Sequence, residues 1–192
     1  MSRENGNAKW VKRGRQRAAV AQALRKPMTT TEICKATRSL SPRIQLRDIW
    51  LVLKEMRERG SVICLNPRHV TGKLYALTKR GRRVVKQTFG IEVPQIPQHI
   101  DWRKYAQVVR AKARKAVLLA LAEMPSDMHA TATVIRKRLR EKHPMGLNPV
   151  IRALKELKRL GLVRSEPASK RGSRTRHFLS KSGAAIARQI NA

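Results

Sequence analysis

Acidic side chains are scarce in this 192-residue chain: 12 Asp and Glu stand against 44 Lys and Arg, a formal charge of +32. So basic a chain repels itself unless a polyanion neutralises it, which makes nucleic acid the expected partner. Aromatics are also few, at 4%, which argues against a platform that stacks single-stranded bases on Phe and Tyr. Cys34 and Cys64 have no CxxC spacing, so buried free thiols are expected rather than a disulfide. Five scattered His offer no metal-ligand spacing. No apolar run is long enough to span a bilayer, and Met1 to Asn7 lacks the apolar stretch of a secretory signal. A cytoplasmic, nucleic-acid-associated location without membrane contact is the expectation. Catalytic constellations are missing as well. There are three Asp in all, no paired carboxylates, no Gly-rich phosphate loop and no Ser or Cys nucleophile with a positioned His. The chain is therefore not expected to be an enzyme, and nothing in it calls for a cofactor or a metal.

What it has is a repeat. Leu53-Lys54-Glu55-Met56-Arg57-Glu58-Arg59-Gly60-Ser61-Val62 returns as Leu154-Lys155-Glu156-Leu157-Lys158-Arg159-Leu160-Gly161-Leu162-Val163, shifted by 101. Leu77-Thr78-Lys79-Arg80-Gly81 returns as Leu179-Ser180-Lys181-Ser182-Gly183, shifted by 102. Ala19 to Leu24 echoes Ala116 to Leu121, shifted by 97. A repeat of about 100 residues is domain-sized, too long for a solenoid unit, and implies two copies of one small fold. The copies divide as 1–90 and 101–192, joined by a linker, 91–100, with prolines at 94 and 97. As a semi-rigid extended spacer, nine linker residues would reach up to about 28 Å at ~3.1 Å each. Charge belongs to both parts: 22 basic and 5 acidic residues up to Gly90, 22 and 7 after it. Apolar content of 41% suffices for two modest cores.

Each copy reads as helix, helix, helix, strand, turn, strand, helix: mainly α with a small β-hairpin. In the first, an Ala-rich helix over 15–26 stops at Pro27. Thr29 with Glu32 forms a capping box for a second. Ser41-Pro42 opens a third that ends at Gly60, strands follow over 61–65 and 73–77, and Thr78 caps the last helix. In the second copy Asp101 caps one long helix over 102–124, a second runs over 131–142, and Asn148-Pro149 opens the third, ending at Gly161. Strands over 162–164 and 175–179 precede a helix capped by Ser180.

Three helices, a hairpin, the Leu77-Thr78-Lys79-Arg80-Gly81 helix start and the Leu157-Lys158-Arg159-Leu160-Gly161-Leu162-Val163 helix end resemble the winged helix-turn-helix superfamily. The flavour is that of the small MarR, ArsR and PadR-type repressors, without assignment to one of them. The resemblance implies tandem winged helices in which the third helix enters the major groove and the wing follows the backbone.

That use of the helix requires a polar face opposite the core. At 100° per residue, Val150, Ala153, Leu154, Leu157 and Leu160 share one side and Asn148, Arg152, Lys155 and Arg159 the other. Asn pairs with adenine and Arg with guanine through two hydrogen bonds each. In the wing, Lys170, Arg171, Arg174 and Arg176 suit phosphate or minor-groove contact. The first copy offers Arg47 and Lys54 on its third helix, Arg68 and Lys73 in its wing, and a further run of cations from Lys9 to Arg17 and from Lys79 to Lys86. Its third-helix stripe is interrupted by Leu51 and Glu58, and Ile44 lies on the side of Leu51. This face is expected to be covered by protein, whether the linker, the second domain, a partner or another subunit, opposite a core side of Leu46, Ile49, Leu53 and Met56. Trp10, Trp50 and Trp102 are expected to pack in cores or between domains. Duplex DNA is favoured over RNA, whose deep, narrow major groove would refuse the helix. A transcription regulator and a replication initiator both fit. A ribonucleoprotein component or a sequence-independent architectural protein are the alternatives.

Overall fold

A computed structural model describes residues 3–125, 128, 130–167 and 175–191. The chain is mainly α with small antiparallel hairpins, in two units, Met1–Gln98 and His99–Ala192. Unit 1 runs α1 (Arg3–Arg13), α2 (Arg15–Ala23), β1 (Met28–Thr29), α3 (Thr30–Thr37), α4 (Leu46–Glu58), β2 (Val62–Cys64), β3 (Leu74–Leu77) and α5 (Lys79–Phe89). Unit 2 runs α6 (Trp102–Val109), α7 (Lys112–Ala122), α8 (Ala132–Leu139), α9 (Leu147–Arg159), β4 (Val163–Glu166), β5 (Arg176–Leu179) and α10 (Lys181–Asn191). The sequence repeat is a structural one: α4 and α9 coincide at a shift of 101, and α5 and α10 at 102.

Each repeated motif has a physical task. Gly60 and Gly161 adopt positive φ (67° and 69°), the left-handed turn that ends α4 and α9. Around them, Ser61 N–H reaches back to Met56 O at 2.8 Å, and Leu162 N–H to Leu157 O at 3.0 Å. Thr78 and Ser180 then act in two directions. Thr78 Oγ1 accepts from Gly81 N–H at 3.0 Å, capping α5, and donates to Gly60 O at 2.7 Å. Ser180 Oγ does the same with Gly183 N–H at 3.0 Å and Gly161 O at 2.7 Å. Gly81 and Gly183 are glycine because the helix lies against the turn: a Cβ would sit 1.9 Å from Ser61 O and 2.1 Å from Leu162 O. The Glu of the repeat is held in both copies, Glu55 by Arg17 at 4.0 Å and Glu156 by Arg114 at 3.4 Å.

The hairpins register Val62 with Leu77 and Cys64 with Tyr75 in unit 1, and Val163 with Leu179 and Ser165 with His177 in unit 2. A third strand, β1, absent from the sequence expectation, pairs Met28 with Tyr75. Unit 2 keeps one bond of it, His177 N–H to Ala130 O at 3.0 Å. Unit 1 packs Val20, Leu24, Ile33, Ile49, Leu53 and Val84 into one core, on which Ile91 and Val93 of the expected linker also lie. Cys34 and Cys64 are buried free thiols. Among the described residues no helix is long and apolar enough to cross a membrane.

The helix boundaries require four corrections. The segment before the first expected helix is itself helical, α1, anchored by buried Val11 and by Trp10 between the Arg17 and Arg59 guanidiniums, each 4.2 Å from its ring centre. The expected 102–124 helix is two, α6 and α7, broken at Arg110–Ala111. The two halves bury separate sets of side chains, Tyr105, Ala106 and Val108 on α6 and Ala116, Val117, Leu118, Ala120 and Leu121 on α7, with Ala111 in extended conformation between them. Ser41-Pro42 does not open α4. It forms a turn, Ile44 N–H to Ser41 O at 3.1 Å, and α4 starts at Leu46, where the Asp48 carboxylate accepts from Gln45 N–H at 2.8 Å. Nor does Asn148 cap α9. Gly146 stands at that position, and Pro149 falls in the first turn, where a missing N–H costs nothing. The expected caps at Thr29, Thr78, Asp101 and Ser180 are found, with Thr29 and Glu32 in a reciprocal box, and Thr131 caps α8 as well.

Gly183→Ala and Gly81→Ala each force the last helix off its turn. A loss of about 2 kcal/mol or more per substitution is expected from a steric insertion of this kind, read as a lower midpoint in urea denaturation. A Ser182→Ala control, on the exposed side of α10, is expected to leave the midpoint unchanged.

Candidate nucleic-acid interface

On α9 the core side and the polar side separate cleanly. Val150, Ala153, Leu154 and Leu157 are buried. Asn148, Arg152, Lys155 and Arg159 are all exposed on the opposite arc, as their spacing predicts, and Leu160 is half-buried at the helix end. The helix carries four cations, Arg152, Lys155, Lys158 and Arg159, and one acid, Glu156, which is engaged by Arg114. The free edge of α9 is therefore strongly positive. Arg176, on β5, is half-buried. Lys170, Arg171 and Arg174 lie outside the described residues. Two cations escaped the sequence reading. Lys158 belongs to the arc facing the hairpin, and Arg164 is exposed on β4 opposite Phe178. Lys158 lies on the same arc as Ile151, readable from its spacing of seven, but no sequence pattern tells which arc turns to the hairpin.

Between α9, the start of α8 and the hairpin lies a groove of about 490 Å³, lined by Leu147, Ile151, Lys155, Lys158, Ser165 and His177 among others. Ser165 Oγ and His177 Nδ1 are 3.1 Å apart. Burial, with the nearby Lys158 ammonium, pulls the His177 imidazole below its ordinary 6.5. The same positions in unit 1 hold Trp50 and Tyr75, whose rings meet edge to face at 6.3 Å. The groove is thus the space left where one copy has Ile151 and His177 in place of two aromatic rings.

The corresponding helix of unit 1 is a different surface. Arg47 and Lys54 are exposed, but α4 carries three acids, Asp48, Glu55 and Glu58, against three cations, and Arg47 pairs with Asp48 at 3.8 Å. Leu51 is 61% exposed, as its position predicts. Its expected companion is not there. Ile44 is 3% exposed and belongs to the unit's own core, because the turn after Ser41 swings it inward before α4 begins. Leu46 makes the opposite correction: expected on the core side, it is 45% exposed, because it is the first residue of α4 and the buried positions begin only at Ile49. Trp50, expected in a core or between domains, is 44% exposed within the unit, with its ring edge to face on Tyr75. The apolar patch on α4 is therefore Leu46, Trp50 and Leu51. In the unit 1 hairpin Arg68 is exposed and Lys73 half-buried, on a loop tied by buried Asn66, which donates to Gly72 O at 3.1 Å and accepts from Leu74 N–H at 2.6 Å.

Among the described residues no group of three or more His, Cys, Asp or Glu is placed to share a metal ion. Comparison with protein-family models, with curated proteins and with solved structures gives no match.

A lowered His177 means that the unfolded chain takes up its proton first. Its contribution to stability is full above pH 6.5 and is lost as pH falls from there through the folded value. Urea midpoints measured between pH 8 and pH 5 are expected to fall below pH 6.5, and less steeply in His177→Tyr, which places the unit 1 residue at the same register.

Proposed function

We propose that each unit is a winged helix-turn-helix domain and that the chain binds duplex DNA, with α9 of unit 2 in the major groove and its hairpin as the wing. The observation that carries this reading is the stripe Asn148, Arg152, Lys155 and Arg159, exposed along one side of a helix whose other side is core. An α-helix fits the major groove of B-DNA, and side chains of these types pair with base edges there or with phosphates. The order of helices, hairpin and last helix supports the fold assignment, and the charge of +32 supports the partner. Regulation of transcription or initiation of replication both use such a surface. No catalysis is proposed.

Unit 1 is proposed to present α4 to protein instead. A neutral helix with exposed Leu46, Trp50 and Leu51 would desolvate apolar surface against phosphates for no return, whereas a protein partner or a second copy would cover it. Leu51→Glu is expected to shift the sedimentation of the chain at micromolar concentrations without moving its urea midpoint; unchanged sedimentation rejects self-association through this face.

The deciding experiment for unit 2 is a titration of the whole chain on random duplex DNA and duplex RNA across a salt series, followed by selection of a preferred sequence. DNA is expected to bind more tightly, and RNA binding as well or better removes the groove reading. Arg152→Ala with Lys155→Ala is expected to cost about 1–3 kcal/mol per lost base pairing on the selected site and less on random DNA. An equal loss on every sequence would show that the helix reads phosphates alone.

A further inference from the structure

The repeated helices differ in charge between the two units. In unit 2, α9 carries four cations and one acid and α10 carries Lys181 and Arg188. In unit 1, α4 is neutral, and α5 carries Lys79, Arg80, Arg82, Arg83 and Lys86 with no acid. Two of the five have partners within the unit, Arg82 donating to Leu77 O at 3.2 Å and Lys86 pairing with Glu92, but helix stability does not explain the set. Four of the five fall in the first half of α5, where cations oppose the helix dipole and acids are favoured. The buried side of α5 is Gly81, Val84 and Val85, so Lys79, Arg83 and Lys86, spaced four and three apart, form an exposed stripe on its other side. Helix α1 packs directly on α5. Its buried side is Asn7 and Val11, and it exposes Lys9 with Lys12 and Arg13, which lie three and four residues beyond it. The Arg17–Trp10–Arg59 stack and the bond from Asn7 Nδ2 to Arg59 O at 3.5 Å hold α1 in place. Arg15 is exposed at the start of α2, immediately after α1.

We infer that the paired stripes of α1 and α5 are a second nucleic-acid surface, with which unit 1 grips phosphates irrespective of sequence while its α4 is left to protein. The inference rests on the duplex-binding reading above, but on a face that the winged-helix mode of docking does not use. Lysine dominates it (Lys9, Lys12, Lys79, Lys86), and lysine acts as a point charge without a base code. An anionic membrane fits less well. Neither helix has an exposed large apolar side chain to enter lipid, because Val11, Val84 and Val85 are spent on the unit's own core.

The test is a full-chain variant, Lys9→Ala, Lys12→Ala, Lys79→Ala and Arg83→Ala, beside the Arg152→Ala, Lys155→Ala variant and the combination of all six. Each is titrated on a 30-base-pair random duplex across a salt series, with thermal melts as the control for folding. The slope of log K against log salt is expected to become shallower by about 0.9 for each cation that meets a phosphate, up to about 3.6 for the four. The losses from the two surfaces are expected to add, and the four-fold change is expected to weaken all sequences alike. A companion set with Arg at Lys9, Lys12 and Lys79 is expected to bind as the parent, since charge is what matters. A four-fold variant that keeps the parental slope overturns this inference and leaves the α9 reading standing. A chain whose slope resides wholly in the four removed cations keeps this inference and loses α9. No binding to any duplex removes both, and binding to phosphatidylserine vesicles in its place reassigns the surface to membranes.

Discussion

Everything in each unit hangs on one close approach, that of the last helix to the turn that ends the exposed helix. A single hydroxyl, on Thr78 or Ser180, closes it by bonding a backbone N–H on one side and a backbone carbonyl on the other. Glycine at 81 and 183 is what lets the two backbones come so near. The carbonyls concerned stand at the left-handed turn after α4 or α9, where a helix leaves oxygen atoms without internal partners. One small contact therefore satisfies the end of one helix, caps another, and fixes the hairpin that runs between them. The Arg17–Glu55 and Arg114–Glu156 pairs join α4 to α2 and α9 to α7 at equivalent places.

These contacts explain which parts of the fold were legible in the chain. The recurring letters, Leu-Lys-Glu, the glycine and the Leu-Thr/Ser-x-x-Gly start, are the residues of the latch and the ion pair, so the repeat in sequence located the repeat in space. Caps at Thr29, Thr78, Asp101 and Ser180 were readable because their chemistry is local. The break between α6 and α7 was not, since Arg110 and Ala111 carry no breaking signal and each half buries its own set of side chains. Helix α1 was hidden for a related reason: a polar segment becomes helical when Val11 and Trp10 find a core built by residues far along the chain.

The candidate site was legible where it depends on helical spacing alone. Asn148, Arg152, Lys155 and Arg159 are exposed together because the core side of α9 is unambiguous. On α4 the same arithmetic misplaced Ile44 and Leu46. Their exposure depends on where the helix begins, which is not written in the period of the pattern. The groove beside α9 could not have been read at all, because it arises from Ile151 and His177 occupying the positions of two rings in the other copy.

The latch has a consequence for how such a chain diverges. Its donors and acceptors are backbone groups, one hydroxyl and the absence of a Cβ, so none of them lies on the outward arc of α4 or α9. That arc is a cassette in a fixed frame. Its aim is set from behind, whatever side chains it carries, and a duplicated unit can exchange one set of ligands for another without renegotiating its fold. Arg47 and Asn148, Leu51 and Arg152, Glu58 and Arg159 occupy equivalent positions, and at each the two copies differ in chemistry while the frame beneath them stays the same.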